Sequence, residues 1–178
     1  MISIRSERSA DVAAREALLD VAYGPVRFTK PSQRLRERRE PALSLVALEQ
    51  GRVIGTVRLW PVAAGGRPAL LLGPLAVHPD SRCRGIGAAL MRRALRAAAD
   101  AGHRAVLLVG DAAYYGRFGF TAAKTGVLAM PGAYEPGRLL ALELVPGALD
   151  GAHGLVRTGA PRRAARRAAV VPAVAHAA

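Results

Sequence analysis

The 178-residue sequence predicts a single mixed α/β (α+β) domain built on a partly parallel sheet. Three observations lead there. Apolar, β-type runs fall at residues 43–48, 53–60, 69–77 and 105–109, each bounded by turn residues. One long amphipathic helix, residues 85–101, stands between the last two of these runs. The junction into that helix is Arg82-Cys83-Arg84-Gly85-Ile86-Gly87-Ala88, a turn rich in Gly and Arg that joins a strand to a helix start.

Taken in order, residues 2–5 read as a first strand. Ser9 and Asp11 are helix-start residues, and Val12, Leu18, Leu19 and Ala22 then give one apolar face that Gly24-Pro25 closes. Ser32 is positioned to open a second, very basic helix through Arg34, Arg36, Arg38 and Arg39, stopped by Pro41. Leu35 is its one large apolar residue, so this helix belongs near the surface. Gln50-Gly51 turns the strand at 43–48 into the strand at 53–60. Residues 61–68 read as a Gly/Pro loop. The strand at 69–77 is interrupted by Gly73-Pro74, and because proline has no N–H for a sheet ladder, the pair marks a bulge or a stop in pairing. In the long helix Ile86, Leu90, Ala94, Leu95 and Ala98 share one side, Arg92, Arg93 and Arg96 the other, and Gly102 caps the end. A short helix at 112–118 and a strand at 139–145 follow. Residues 1–145 are therefore expected to be the folded domain. Residues 146–178 read as an Ala/Arg/Pro-rich extension with a marginal strand at 154–156, poorly ordered from about Gly159.

Composition bounds the function. A hydrophobic content of 51% fits a folded chain. The sequence contains no apolar run of membrane-spanning length and its N-terminus has no signal-like apolar region, so a cytoplasmic protein is expected. The lone Cys83 excludes a disulfide framework and a cysteine zinc site. The formal net charge of +13 invites nucleic acid as a ligand. Lys30 and Lys124 are the only lysines, however, and no motif interleaves aromatics with the arginines, so the skew reads as coding bias.

The run from Arg82 to Ala88 is an anion site on physical grounds. Gly85 and Gly87 carry no Cβ to keep a ligand off the backbone. The N–H groups of a first helical turn are unpaired and partly positive, a setting for phosphate. A dinucleotide fingerprint fails because Leu90 occupies the third glycine position, and no Gly-Lys-Ser/Thr is present for a nucleotide P-loop. What remains is R-x-x-G-x-G.

With these residues the chain resembles the GNAT family of acetyl-CoA-dependent acetyltransferases. Its phosphate loop reads Q/R-x-x-G-x-G/A between a strand and a long helix, matched here by Arg82, Gly85 and Gly87. A second block, Tyr114-Tyr115-Gly116-Arg117-Phe118-Gly119-Phe120, matches the family's aromatic-Tyr-x-x-x-Gly-Phe element. Its wording, with the Leu-Glu-Leu-Val-Pro-Gly close after residue 141, is similar to a bacterial, largely uncharacterised branch.

The resemblance implies a splayed central sheet with the phosphate loop before a third helix, and acetyl-CoA as co-substrate without a metal. It further implies pantetheine pairing with Leu75, Ala76 and Val77, and pyrophosphate on the backbone of Arg82, Cys83, Arg84, Gly85, Ile86, Gly87 and Ala88. Tyr115 becomes the acid that protonates the departing thiolate, and Tyr114 a packing aromatic. Phe118 and Phe120 belong to the core. Glu49, His78 and Glu143 are the candidates for a base, none of them singled out. Cys83 has no partner histidine and is incidental as a thiol. Arg58 and Trp60 share one strand face beside the acceptor side of the cleft, or simply cover the sheet. The acceptor is a primary amine, on a small molecule or a protein, served by a monomer or homodimer. Two other readings stay open: an acyl-CoA-binding regulatory module, and a basic nucleic-acid-associated protein.

Overall fold

The computed structural model describes residues 1–160. An open mixed sheet forms its centre, ordered β1-β2-β3-β4-β5-β7, with β8 attached to β3 and β6 to β8. The strands are β1 Ile2–Ser6, β2 Leu43–Glu49, β3 Arg52–Ala64, β4 Arg67–Val77, β5 Ala105–Val109, β6 Leu128–Ala129, β7 Leu139–Glu143 and β8 Gly154–Thr158. The α-helices are α1 Val12–Tyr23, α2 Ile86–Asp100 and α3 Ala112–Gly116. Every pairing in the main path is antiparallel except β4 with β5.

Alternation along the central strands sorts their side chains onto two faces. Leu70, Leu72, Val106 and Leu108 pack beneath α2 with Ile86, Leu90, Met91 and Ala94. Leu71 and Leu107 point the other way, toward Trp60, Leu139, Leu149 and Val156. Gly55 lets α2 close on the sheet: a Cβ there would stand 3.0 Å from Leu90 Cδ1 and 3.2 Å from Ile86 Cγ2. Helix α1 lays Leu18 and Leu19 over Ala76 on the far half of β4.

Three expectations change. The basic segment after α1 forms no α-helix. It makes two short 3-10 turns, Pro25–Phe28 and Pro31–Leu35, so the helix after the phosphate loop is the second α-helix, not the third. With Leu35 as its single buried large apolar residue, the segment has no stripe to bury along a helix. The loop expected at residues 61–68 is instead the tip of a long β3–β4 hairpin, paired out to Ala64↔Arg67 around Gly65-Gly66. Pro61 is tolerated inside it because of where its nitrogen faces. Its carbonyl accepts from Gly159 N–H at 3.0 Å, so the missing N–H lies on that same side. There β2 has already ended, at Leu43↔Leu59, and β8 begins only at Val62↔Thr158.

The third change concerns the boundary at residue 145. The chain stays packed beyond it: Ala148, Leu149, Ala152 and Val156 are buried in the core face opposite α2, and β8 pairs antiparallel with β3. The marginal strand is thus a real one, stabilised by a partner far away in sequence, Val62 pairing with Thr158 and Ala64 with Val156. The tail expected to be poorly ordered lies, from residue 161 onward, outside the described residues.

Truncating Leu149, which is 2% exposed, is expected to cost about 2–5 kcal/mol in a urea melt of Leu149→Ala. A loss under about 0.5 kcal/mol would mean that the segment after β7 does not belong to the core.

Candidate functional site

The site is built around an irregularity in β4. Val57 of β3 faces Leu75, yet Leu59, two residues on, faces Leu72, three residues back. One extra residue is therefore accommodated in β4, at the Gly73-Pro74 pair, whose peptide bond is cis. On its other edge β4 pairs with β5 only at Leu70↔Val106 and Leu71↔Leu107. Beyond the bulge, residues 75–77 stay with β3 and leave β5, and the sheet splays open there, as the Gly73-Pro74 break suggested.

Side chains hold the backbone at the opening. Trp60 Nε1 donates to the Gly73 carbonyl at 2.7 Å, and the Tyr23 hydroxyl, from the last residue of α1, donates to the Leu75 carbonyl. Within a strand, one residue's N–H and C=O leave on the same side. Leu75 thus turns its polar backbone toward Tyr23 and the cleft, away from β3. Burial, above all, raises the Tyr23 phenol above its usual range.

Below the opening lies the Arg82–Ala88 turn. His78 Nδ1 accepts from Asp80 N–H at 3.4 Å at its entry, and Arg82 N–H reaches Pro79 C=O at 3.2 Å. Cys83 has φ 60° and Gly85 φ 74°, two left-handed residues that fold the chain into the start of α2. The first α-type bond runs from Ala89 N–H to Gly85 C=O at 3.0 Å, which leaves the N–H groups of Ile86, Gly87 and Ala88 without intrahelical acceptors. Arg84 is bound to Glu49 through a two-pronged contact of 2.6 and 2.9 Å, tying the turn to the end of β2. Arg82 is exposed and forms no ion pair with the described residues. The Cys83 thiol is free and exposed.

Across the opening stands α3. Asp111 caps it, its carboxylate accepting Tyr114 N–H at 2.8 Å. Tyr114 and Tyr115 meet edge to face at 4.9 Å between ring centres, and Tyr115 packs similarly on Phe120 at 6.1 Å. The seat of the Tyr115 ring is Gly110. A Cβ at that residue would stand 2.3 Å from Tyr115 Cε2, so only glycine leaves room. Tyr114 reaches the Arg82–Ala88 turn, its hydroxyl lying 3.1 Å from where a Cβ on Gly87 would stand. Burial pushes the Tyr115 phenol up to about 12, with the Tyr23 and Tyr114 phenols adding smaller contributions in the same direction. Phe120 is in the core, while Phe118 is half-buried and covered by Arg117, whose guanidinium sits 5.1 Å from the ring centre.

A cavity of about 570 Å³ runs from the bulge outward, between α1, the basic 3-10 segment and Tyr115. Arg58 and Trp60 both line it, the Arg58 guanidinium stacked 4.4 Å above the indole. The three carboxylate or imidazole candidates for a base are engaged elsewhere. Glu49 holds Arg84, His78 sits in its own turn, and Glu143 accepts from Gly147 and Leu149 N–H beyond β7. None of them lines the cavity. From the sequence, the Arg-rich segment from Tyr23 to Glu40 falls in the acceptor region that the family resemblance implies, its charge suiting an anionic acceptor or a solvated face equally, but neither Tyr23 nor Arg36 is singled out within it and Gly110 is passed over. Tyr23 and Arg36 fall in no motif, and Gly110 carries only the faint signal of a glycine between a strand and a capped helix. No group of three or more His, Cys, Asp or Glu among the described residues could hold a metal, and no described helix is long and apolar enough to cross a membrane.

An open mixed sheet splayed beside a glycine-rich helix start defines a class of group-transfer enzyme, and comparison with known proteins names it. Residues 13–120 match the acetyltransferase (GNAT) family. The uncharacterised N-acetyltransferase YhbS of Escherichia coli K12 is 33% identical over 156 residues, 86% of this chain and 93% of its own. The crystal structure of E. coli YhbS in complex with CoA superposes with a TM-score of 0.77 at 32% identity, covering 88% of this chain and 89% of that one. A GNAT family acetyltransferase from Brucella melitensis, in complex with acetyl-CoA, gives 0.65 at 33% identity over 82% and 90%. The chain belongs to the GNAT family of N-acetyltransferases.

Adding a methyl at residue 110 is expected to drive the Tyr115 ring from its seat. Gly110→Ala should keep its far-UV circular dichroism, change its near-UV tyrosine bands and lose about 1–3 kcal/mol of stability. An unchanged near-UV spectrum with unchanged stability would show that Gly110 does not seat the ring.

Proposed function

We propose that this protein transfers the acetyl group of acetyl-CoA to a primary amine by direct attack of the amine on the thioester. The observation that carries the reading is the splay of β4 from β5 between a glycine-rich helix start and Tyr115. It is supported by two relatives of one-third identity whose crystal structures hold CoA and acetyl-CoA.

The chain's own groups fit such a ligand. The unpaired N–H groups of Ile86, Gly87 and Ala88, with those of residues 83–85, offer a nest for the pyrophosphate, and Arg82 adds a full positive charge. The side of Leu75, Ala76 and Val77 turned from β3 offers strand-like hydrogen bonds to the amides of the pantetheine arm. When bound, acetyl-CoA supplies an activated acyl group. The Leu75 N–H is positioned to donate to the carbonyl oxygen as negative charge grows on it. As the amine nitrogen bonds to the acyl carbon, the carbon–sulfur bond breaks and the Tyr115 hydroxyl gives its proton to the thiolate. The nitrogen releases its own proton toward the open cavity. Proximity supplies much of the acceleration, and the raised phenol holds its proton until the leaving group needs it.

Saturating acetyl-CoA is expected to raise the melting midpoint by several degrees, since a ligand selective for the folded state stabilises it by mass action. No shift at millimolar concentration would refute the reading. Tyr115→Phe should lower kcat by about 10²–10⁴ while keeping that shift. Loss of the shift instead would make Tyr115 a binding residue, and full turnover would remove it from the chemistry. The neutral phenol is the competent form and persists below about 12. The kcat profile of the wild type should therefore show no Tyr115-dependent fall below about pH 11. A descending limb near pH 9 that disappears in the Phe variant would contradict the assignment.

A further inference from the structure

The acceptor cavity carries more positive charge than its own carboxylates can balance. The charge of Arg27 is paired, with Glu16 at 2.7 Å and Asp20 at 2.8 Å, although its Nε is buried without a hydrogen-bond partner. Arg58 has only a distant partner, Glu7 at 4.0 Å, and Glu7 already binds Arg15 at 2.9 Å and the Ser44 hydroxyl. Lys30 and Arg36 form no ion pair with any described residue. Lys30 instead lies 4.5 Å over the Tyr23 ring. The two carboxylates lining the cavity do not answer these charges: Glu16 is held by Arg15 and Arg27, and Glu37 is exposed on the 3-10 segment.

Arg36 is the key residue. Its Nε is buried and has no hydrogen-bond partner, and the same holds for Arg58 Nε. One terminal nitrogen of Arg36 lies 2.9 Å from where a Cβ on Gly73 would stand, so the guanidinium rests on the bulge itself. Gly73 has φ +128°, and a side chain there would meet both backbone strain and the guanidinium. Burial first, and the nearby Arg58 charge after it, pulls Arg36 down to about 10. Burial also lowers Lys30, with Arg36 and Arg138 acting in the same direction. Lys30 is exposed, but Arg36 and Arg58 are partly enclosed cations that repel one another, which is costly unless an anion completes them, and a guanidinium presents its donors in a fork suited to carboxylate or phosphate oxygens.

Resting on the acetyltransferase reading above, we infer that the acceptor is a small anionic amine whose carboxylate or phosphate group is bound by Arg36, with Arg58 and Lys30 completing the charge. The placement is specific. Gly73 and Leu75 are two residues apart across the bulge, which puts their Cα atoms at most about 7 Å from each other. The anion at Arg36 and the amine near the Leu75 N–H are therefore separated by a short spacer of a few bonds. Arg38 and Arg39 at the cavity mouth add a positive field that draws such a molecule in.

The test uses the full chain with matched probes. β-Alanine and O-phosphoethanolamine carry a carboxylate and a phosphate on the same two-carbon spacer; n-propylamine and ethanolamine are their neutral counterparts. Thermal shift in the presence of CoA and CoA release from acetyl-CoA are both read. At least one anionic probe is expected to stabilise the protein saturably and, as substrate, to exceed its neutral counterpart about 30-fold or more in kcat/KM. The relative response to β-alanine and O-phosphoethanolamine identifies the anion. In Arg36→Gln that preference should fall to within a few fold, while the shift caused by acetyl-CoA persists. Equal responses to charged and neutral probes, no stabilisation by either anionic probe, or a preference untouched in Arg36→Gln would each overturn the inference. If acetyl-CoA itself produced no shift in the wild type, the acetyltransferase reading would fail instead. The two failures are therefore distinct.

Discussion

The extra residue in β4 at Gly73-Pro74 is the constraint on which the rest of this structure depends. Before it, β4 is a central strand, sealed between β3 and β5. After it, the strand keeps β3 and releases β5, and a row of backbone hydrogen-bonding groups is left facing a cleft. Such groups are expensive to leave unsatisfied in a protein interior. The fold answers at two points, with Trp60 on the Gly73 carbonyl and Tyr23 on the Leu75 carbonyl, and leaves the remainder facing the cleft.

The elements around the opening follow from that geometry. Helix α2 packs under the sheet and brings its unpaired N-terminal turn below the splay, a close approach that Gly55 permits. Helix α1 closes the other face and ends in Tyr23 at the cleft. Strand β5, freed from β4, runs into Gly110 and the capped α3, so that Tyr115 stands across from Leu75 with its ring against a residue that has no side chain. Tyr115, the Leu75 backbone and the Arg82–Ala88 turn thus come from three separate stretches of chain, placed around one defect in one strand. The cationic segment after α1 completes the enclosure. Without an apolar stripe the segment does not continue as a helix, and its Arg36 rests on the bulge.

Local features carried much of this in the sequence. The R-x-x-G-x-G turn, the Tyr114–Phe120 block and the Gly73-Pro74 break could be read directly because each is a short run whose chemistry depends on its immediate neighbours. The long helix was legible for the same reason, with period and cap both present. Other features were not legible. A five-residue strand at 154–158 has little apolar signal of its own, and it becomes a strand by pairing with the distal part of β3 and burying Val156 there. Pro61 looked like a breaker because nothing local reveals that its nitrogen faces the gap between β2 and β8.

The sequence by itself determined the family, the glycine-rich turn into the long helix, the interrupted strand and the tyrosine block after β5, since all of these are written in contiguous residues with fixed backbone demands. Only the tertiary structure decided what surrounds the reacting centre. Tyr23 reaches Leu75 across 52 residues, Arg36 rests on Gly73, and Arg58 lies over Trp60 beneath the same cavity. The reason is physical. An arginine in a basic run reads equally as a solvated charge or as a group awaiting an anion, and only packing removes its water and its partners and decides between the two.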